Sequence, residues 1–66
     1  MSDSFYVLFY IEEASFLMEN GETTKWIYEA KRFETLKQAN EEKQKLDEPR
    51  KFYIFKVNAE YWLKRV

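Results

Sequence analysis

The sequence contains no cysteine and no histidine, and only one glycine and one proline. Without cysteine there are no disulfides and no thiolate zinc site. Without histidine the commonest metal ligand and the commonest general base are both missing. One glycine cannot build a Gly-rich phosphate loop. No apolar run approaches the roughly 18 residues that read as a membrane span. The first residues lack the basic and apolar regions of a secretory signal. These absences lead to the expectation of a soluble, cytoplasmic protein with no cofactor, no metal and no membrane association. With 66 residues and 8.2 kDa, the chain 1–66 is expected to form one small domain. A domain of that size buries only about 60% of the surface its unfolded chain exposes, so its stability is marginal.

What the chain has in quantity is aromatic residues: six Phe, five Tyr and two Trp. Each can bury roughly 150–250 Å², which lets a short chain fold without staples. Charge is nearly balanced at −1 but unevenly spread. Residues 1–24 hold Asp3, Glu12, Glu13, Glu19 and Glu22 and no Lys or Arg. The rest holds all eleven basic residues and the other seven acidic ones, a surplus of four positive charges. The net charge is unlike the basic excess of a general nucleic-acid binder.

Residues 1–4 read as a flexible polar lead. Phe5 to Ile11 reads as a strand, with Phe5, Val7, Phe9 and Ile11 on one face and Tyr6, Leu8 and Tyr10 on the other. Ala14 to Met18 reads as a second strand. Asn20-Gly21 marks a hairpin turn, and a third strand should run from Thr23 through Ile27. A two-residue loop there would oppose Glu19 and Glu22, a small penalty. Tyr28 to Phe33 either continues the strand or turns at Glu29-Ala30 and pairs again through Lys31–Phe33. Thr35-Leu36-Lys37-Gln38 is a capping box and predicts the main helix over 35–47, stopped by Pro49. Its apolar stripe is thin: Leu36, Ala39 and Leu46. Phe52 to Val57 reads as a fourth strand. Asn58 resembles an N-cap, and Ala59, Trp62, Leu63 and Val66 share one helical face, so 58–66 is predicted as a short C-terminal helix. The expected fold is α+β: a three- to four-stranded, mainly antiparallel sheet with one helix packed on it and the short C-terminal helix.

Catalytic groups are scarce. Glu12-Glu13 and Glu41-Glu42 are adjacent carboxylates, and strand neighbours diverge. Ser2, Ser4 and Ser15 have no histidine to activate them. No enzymatic activity is expected. One thin helix cannot cover both faces of so aromatic a sheet, and an open face rich in Tyr and Trp favours a protein partner. The partner-binding candidates are Tyr6, Tyr10, Trp26, Tyr53 and Trp62, with Lys64 and Arg65 beside them. Their structural alternative is that Trp26 and Trp62 fill the core. A second function is single-stranded nucleic-acid binding. Lys51 to Val57 resembles an RNA-recognition-motif strand without its glycines. Tyr53 and Phe55 would stack bases, while Arg50, Lys51 and Lys56 hold phosphates. A third reading is a homodimer formed through a sheet edge or face.

The run from Ile27 to Ala39 carries the pattern A-K-x-F-x-[ST]-x-x-[EQ]-A over Ala30, Lys31, Phe33, Thr35, Gln38 and Ala39. With the Asn20-Gly21 turn and the Phe52–Val57 strand, it resembles the hairpin-strand-helix-strand layout of small bacteriophage and mobile-element accessory proteins. In architecture the chain resembles short phage inhibitors of bacterial RNA polymerase and some anti-CRISPR proteins. That resemblance implies binding and occlusion of a host protein: a polymerase, a nuclease or a defence effector. No functional residue carries over from it.

Overall fold

A computed structural model describes residues 4–58 and 63–66. The fold is α+β. The strands are β1 (Phe5–Tyr10), β2 (Ser15–Leu17), β3 (Thr23–Thr24), β4 (Phe52–Val57) and β5 (Leu63–Arg65). They form one antiparallel sheet in the order β3-β2-β1-β4-β5. Among the described residues one α-helix, α1 (Leu36–Gln44), lies against β1 and β4. Two 3₁₀ turns, Ile27–Glu29 and Pro49–Lys51, complete the described elements.

The sheet is built outward from β1 and β4. Both are runs of aromatic and aliphatic residues, which suit a pleated surface buried on two sides. Their register pairs Phe5 with Val57, Val7 with Phe55, Leu8 with Ile54 and Tyr10 with Phe52. The ladder continues past β1, because the Ile11 N–H donates to the Lys51 carbonyl at 2.9 Å. Period-2 alternation then sorts the core into two layers. Leu8, Leu17, Phe33, Phe52 and Ile54 meet Ala39 of the helix on one face. Val7, Phe16 and Val57 meet Ala30 on the other.

The two hairpins show how turns set register. Between β1 and β2 the Ala14 N–H donates to the Ile11 carbonyl at 3.3 Å, and Ala14 sits at φ +50°. Between β2 and β3 the Gly21 N–H donates to the Met18 carbonyl at 3.1 Å, and Met18 N–H to the Glu22 carbonyl at 2.8 Å. That is a three-residue loop, with Gly21 at φ +88° where a side chain would be strained. It puts Met18, not Glu19, across from Glu22 and so removes the like-charge pair of a two-residue loop. β3 is shorter than expected. The buried Thr24 Oγ accepts from the Trp26 N–H at 3.1 Å and donates to Glu29 Oε1 at 2.7 Å. These bonds turn the chain out of the sheet and into the first 3₁₀ turn. The chain then returns as the second alternative foresaw, with new partners. Lys31 N–H donates to the Leu17 carbonyl, and Phe33 exchanges both backbone bonds with Tyr6.

The helix begins at its capping box. Thr35 Oγ accepts from the Gln38 N–H, and Gln38 Oε1 accepts from the Glu34 N–H, both at 3.1 Å. It ends at Gln44 rather than Asp47. Lys45 N–H bonds both the Glu42 and Lys43 carbonyls, and Leu46 N–H bonds the Lys43 carbonyl, tightening the last turn into 3₁₀ geometry. Only Ala39 is fully buried; Leu36 is 41% exposed. The small side chain lets the backbone approach the sheet closely, so the contact is narrow.

The predicted C-terminal helix over 58–66 is not what forms at Leu63–Arg65. These residues are β5, with Leu63 opposite Val57 and Arg65 opposite Phe55, and Val66 N–H donates to the Ile54 carbonyl at 2.9 Å. Residues 59–62, including Trp62, lie outside the described residues. Strand pairing wins because β4 would otherwise be an edge, with a row of unpaired backbone groups. A nine-residue helix has little stability of its own.

Two substitutions test these local solutions. Ala14→Gly should stabilise the fold by on the order of 0.5 kcal/mol, because relief of a left-handed alanine outweighs the added unfolded-chain entropy. Thr35→Ala should cost about 1 kcal/mol by removing the cap. Urea denaturation midpoints of the two variants against the wild type check both.

Candidate functional site

The two faces of the sheet are covered unequally. The helix covers the face bearing Leu8 and Ile54. On the opposite face stand Phe5, Val7 and Phe9 from β1, and Tyr53, Phe55 and Val57 from β4, placed there by the register. Among the described residues the segment from Ile27 to Arg32 lies on it, with Ile27 and Ala30 packed into its core and Arg32 over Phe5. Val7 and Val57 are fully buried there even so, because the large neighbouring rings close over them. Phe5, Phe9, Tyr53 and Phe55 stay partly exposed. Flanking Ile27, Trp26 and Tyr28 are 60% and 64% exposed and stack on each other at 6.1 Å between centroids.

The rings on this face are held by one another and by arginines. Phe9 stacks on Phe55 at 5.0 Å with planes 12° apart, and meets Phe16 edge-on at 5.4 Å. The Arg65 guanidinium lies 3.6 Å above the Tyr53 ring, and the Arg32 guanidinium 4.3 Å above Phe5. Such contacts are each worth about 0.5–1 kcal/mol at exposed sites. They also fix long side chains that would otherwise lose entropy on binding.

The partner-binding candidates divide between the two faces. Tyr53 and Arg65 come together on the open face, and Trp26 is exposed beside it. Tyr6 and Tyr10 do not join them. They point to the helix side and pack against its core, where Tyr10 stacks on Phe52 at 4.9 Å. Trp62 and the side chain of Lys64 lie outside the described residues. Of the phosphate-binding candidates, Lys56 pairs in register with Tyr6, which places it on the helix side. Lys51 is engaged by carboxylates, and Arg50 is exposed in the second 3₁₀ turn. Sequence reasoning missed Phe5, Phe9, Tyr28 and Arg32. Alternation already put Phe5 and Phe9 together; what was hidden was which face the helix would take.

The helix side carries a groove lined by carboxylates. This groove, of about 840 Å³, opens between the end of α1 and the β2–β3 hairpin, floored by Leu17, Leu46 and Phe52. Glu13, Glu22, Asp47 and Glu48 also line it. Close by, the Lys51 ammonium bridges Glu12 and Glu48, both at 2.8 Å, and the Tyr10 hydroxyl donates to Glu12 at 2.9 Å. The ammonium, then the phenol, hold the Glu12 carboxyl below its ordinary value. The two carboxylates raise Lys51, and donation to Glu12 raises the Tyr10 phenol. Among the described residues no three acidic, His or Cys side chains form a group that could hold a metal ion.

The linkage runs in two directions. A lowered carboxyl contributes stability above its ordinary value of 4.5, lost as pH falls through the folded value. The raised phenol contributes stability below its ordinary value of 10.0, lost as pH climbs through the folded value. Stability should therefore decline below about pH 4.5 and above about pH 10. Lys51→Met should return Glu12 toward its ordinary value and flatten the acid limb. Denaturation midpoints against pH, for both proteins at low salt, check this.

No protein-family model matches this chain, and no curated protein or solved structure matches it either.

Proposed function

We propose that this protein is a non-catalytic protein-binding module that recognises its partner with the sheet face opposite the helix. The observation that carries the reading is the unequal cover of the sheet. Six strand residues of one face, four of them aromatic, have among the described residues only the segment from Ile27 to Arg32 over them. Rings with an arginine-bearing rim match the composition of interface hot spots, which favour Trp, Tyr and Arg around a desolvated centre. A lack of histidine and cysteine favours binding over catalysis.

The resemblance to small phage accessory proteins supports a more specific version. In it the partner is a bacterial host protein, such as a polymerase, a nuclease or a defence effector. The effect is inhibition by occlusion: a rigid 8.2 kDa body seated on a working surface blocks it sterically.

Single-stranded nucleic acid is the weaker occupant of the same face. Base stacking needs ring faces turned to solvent. Here Phe9 and Phe55 stack on each other, while Tyr53 and Phe5 each carry an arginine. A net charge of −1 gives little phosphate-driven affinity.

The test is capture from nuclease-treated bacterial lysate with the tagged protein, beside a Trp26→Ala/Tyr28→Ala variant shown to be folded. The expected result is one stoichiometric protein that the variant loses at least tenfold and whose own activity falls on binding. Capture only from untreated lysate would replace this reading with nucleic-acid binding. No capture together with a concentration-dependent mass would assign the face to a homodimer.

A further inference from the structure

We infer that the partner of the open sheet face presents two carboxylates, about 13 Å apart, on either side of an apolar side chain. The inference rests on the proposed protein-binding role of that face and specifies its chemistry.

It begins with Arg32 and Arg65. Each guanidinium carbon lies over a ring, 4.3 Å from the Phe5 centroid for Arg32 and 3.6 Å from the Tyr53 centroid for Arg65. Among the described residues neither has a carboxylate partner, whereas Lys31 is paired with Glu42, and Lys51 with Glu12 and Glu48. A guanidinium resting on an aromatic face keeps its N–H donors in its own plane, free to form a two-pronged bond to a carboxylate. The ring removes water from one side, which strengthens such a bond, and holds the fork in place before the partner arrives.

Their spacing follows from the register. Phe5 lies opposite Val57, and Tyr53 opposite Phe9. The arginine-bearing rings therefore stand four residue steps apart along neighbouring strands, roughly 13 Å. Between them lie Val7 and Phe55, with Phe9 stacked on Phe55, an apolar centre between two cations. Among the described residues, Glu13, Glu22, Asp47 and Glu48 line the groove on the helix side. Glu19 and Glu29 share a pocket with Arg32 but form no ion pair with it, and Glu29 is bonded to Thr24. Charge complementarity thus selects an acidic, apolar-centred protein surface.

An extended five-residue peptide reproduces that pattern, because residues 1, 3 and 5 of a strand share a face. The probe is acetylated and amidated Glu-Thr-Phe-Thr-Glu, titrated into ¹⁵N-labelled full-length protein. Matched titrations use Gln-Thr-Phe-Thr-Gln and a ten-nucleotide oligo-dT. The acidic peptide should shift the amides of Phe9, Tyr53 and Phe55 and the Nε–H signals of Arg32 and Arg65. It should bind about tenfold more tightly than the glutamine peptide. That preference should disappear in the Arg32→Gln/Arg65→Gln variant, whose remaining amide spectrum reports its fold. Equal binding of the two peptides at these signals overturns the charge selection and leaves the protein-binding face standing. Silence of these signals with both peptides counts against the inference and the binding reading together. Oligo-dT moving them at lower concentration than the acidic peptide overturns the inference in favour of a phosphate backbone.

Discussion

The six-residue ladder between β1 and β4 is the constraint on which the rest depends. Its register, Phe5 with Val57 through Tyr10 with Phe52, commits twelve mostly apolar side chains to two opposite faces at once. A slip of one residue would exchange the faces completely. Leu8 and Ile54 must therefore find a cover on one side while Phe9 and Phe55 demand one on the other. The outer strands β2, β3 and β5 add backbone partners to this pair, and β2 adds Leu17 to one core layer and Phe16 to the other.

One short helix meets only half of that demand. Its nine residues bury a single alanine completely, so it acts as a narrow lid placed close to the sheet. The other face is closed by its own rings, which fold over Val7 and Val57 and lean on arginines. This accounts for an aromatic content of 20% in so small a chain. Rings can shield their neighbours where, among the described residues, no second helix lies, and the same rings present a large, nearly preformed contact surface.

Charge follows the same division. Carboxylates from the β1–β2 loop, the β2–β3 hairpin and the end of α1 gather on the helix side, and arginines stand on the open side. The acidic first third of the sequence contributes Glu13 and Glu22 to that gathering. The asymmetry along the chain thus persists as an asymmetry across the sheet. Arginines on one face and a carboxylate-lined groove on the other give a small protein orientation in an encounter as well as adhesion.

Much of this was legible in the residues themselves. Alternation in Phe5–Tyr10 and Phe52–Val57, the capping box at Thr35 and Gln38, and the Asn20-Gly21 turn are local signals, set by side-chain geometry within a few residues. They were sufficient for the α+β class, the antiparallel sheet and the single main helix. Tertiary structure decided what local signals leave open. Leu63–Arg65 fits a helical face as well as a strand, and only the unpaired edge of β4 makes it β5. Tyr6, Tyr10 and Tyr53 have similar neighbours in sequence, yet the helix takes the face of the first two and leaves Tyr53 beside Arg65. Which face is covered depends on where a segment some thirty residues away comes to rest. That is a long-range packing choice, and no period in the sequence encodes it.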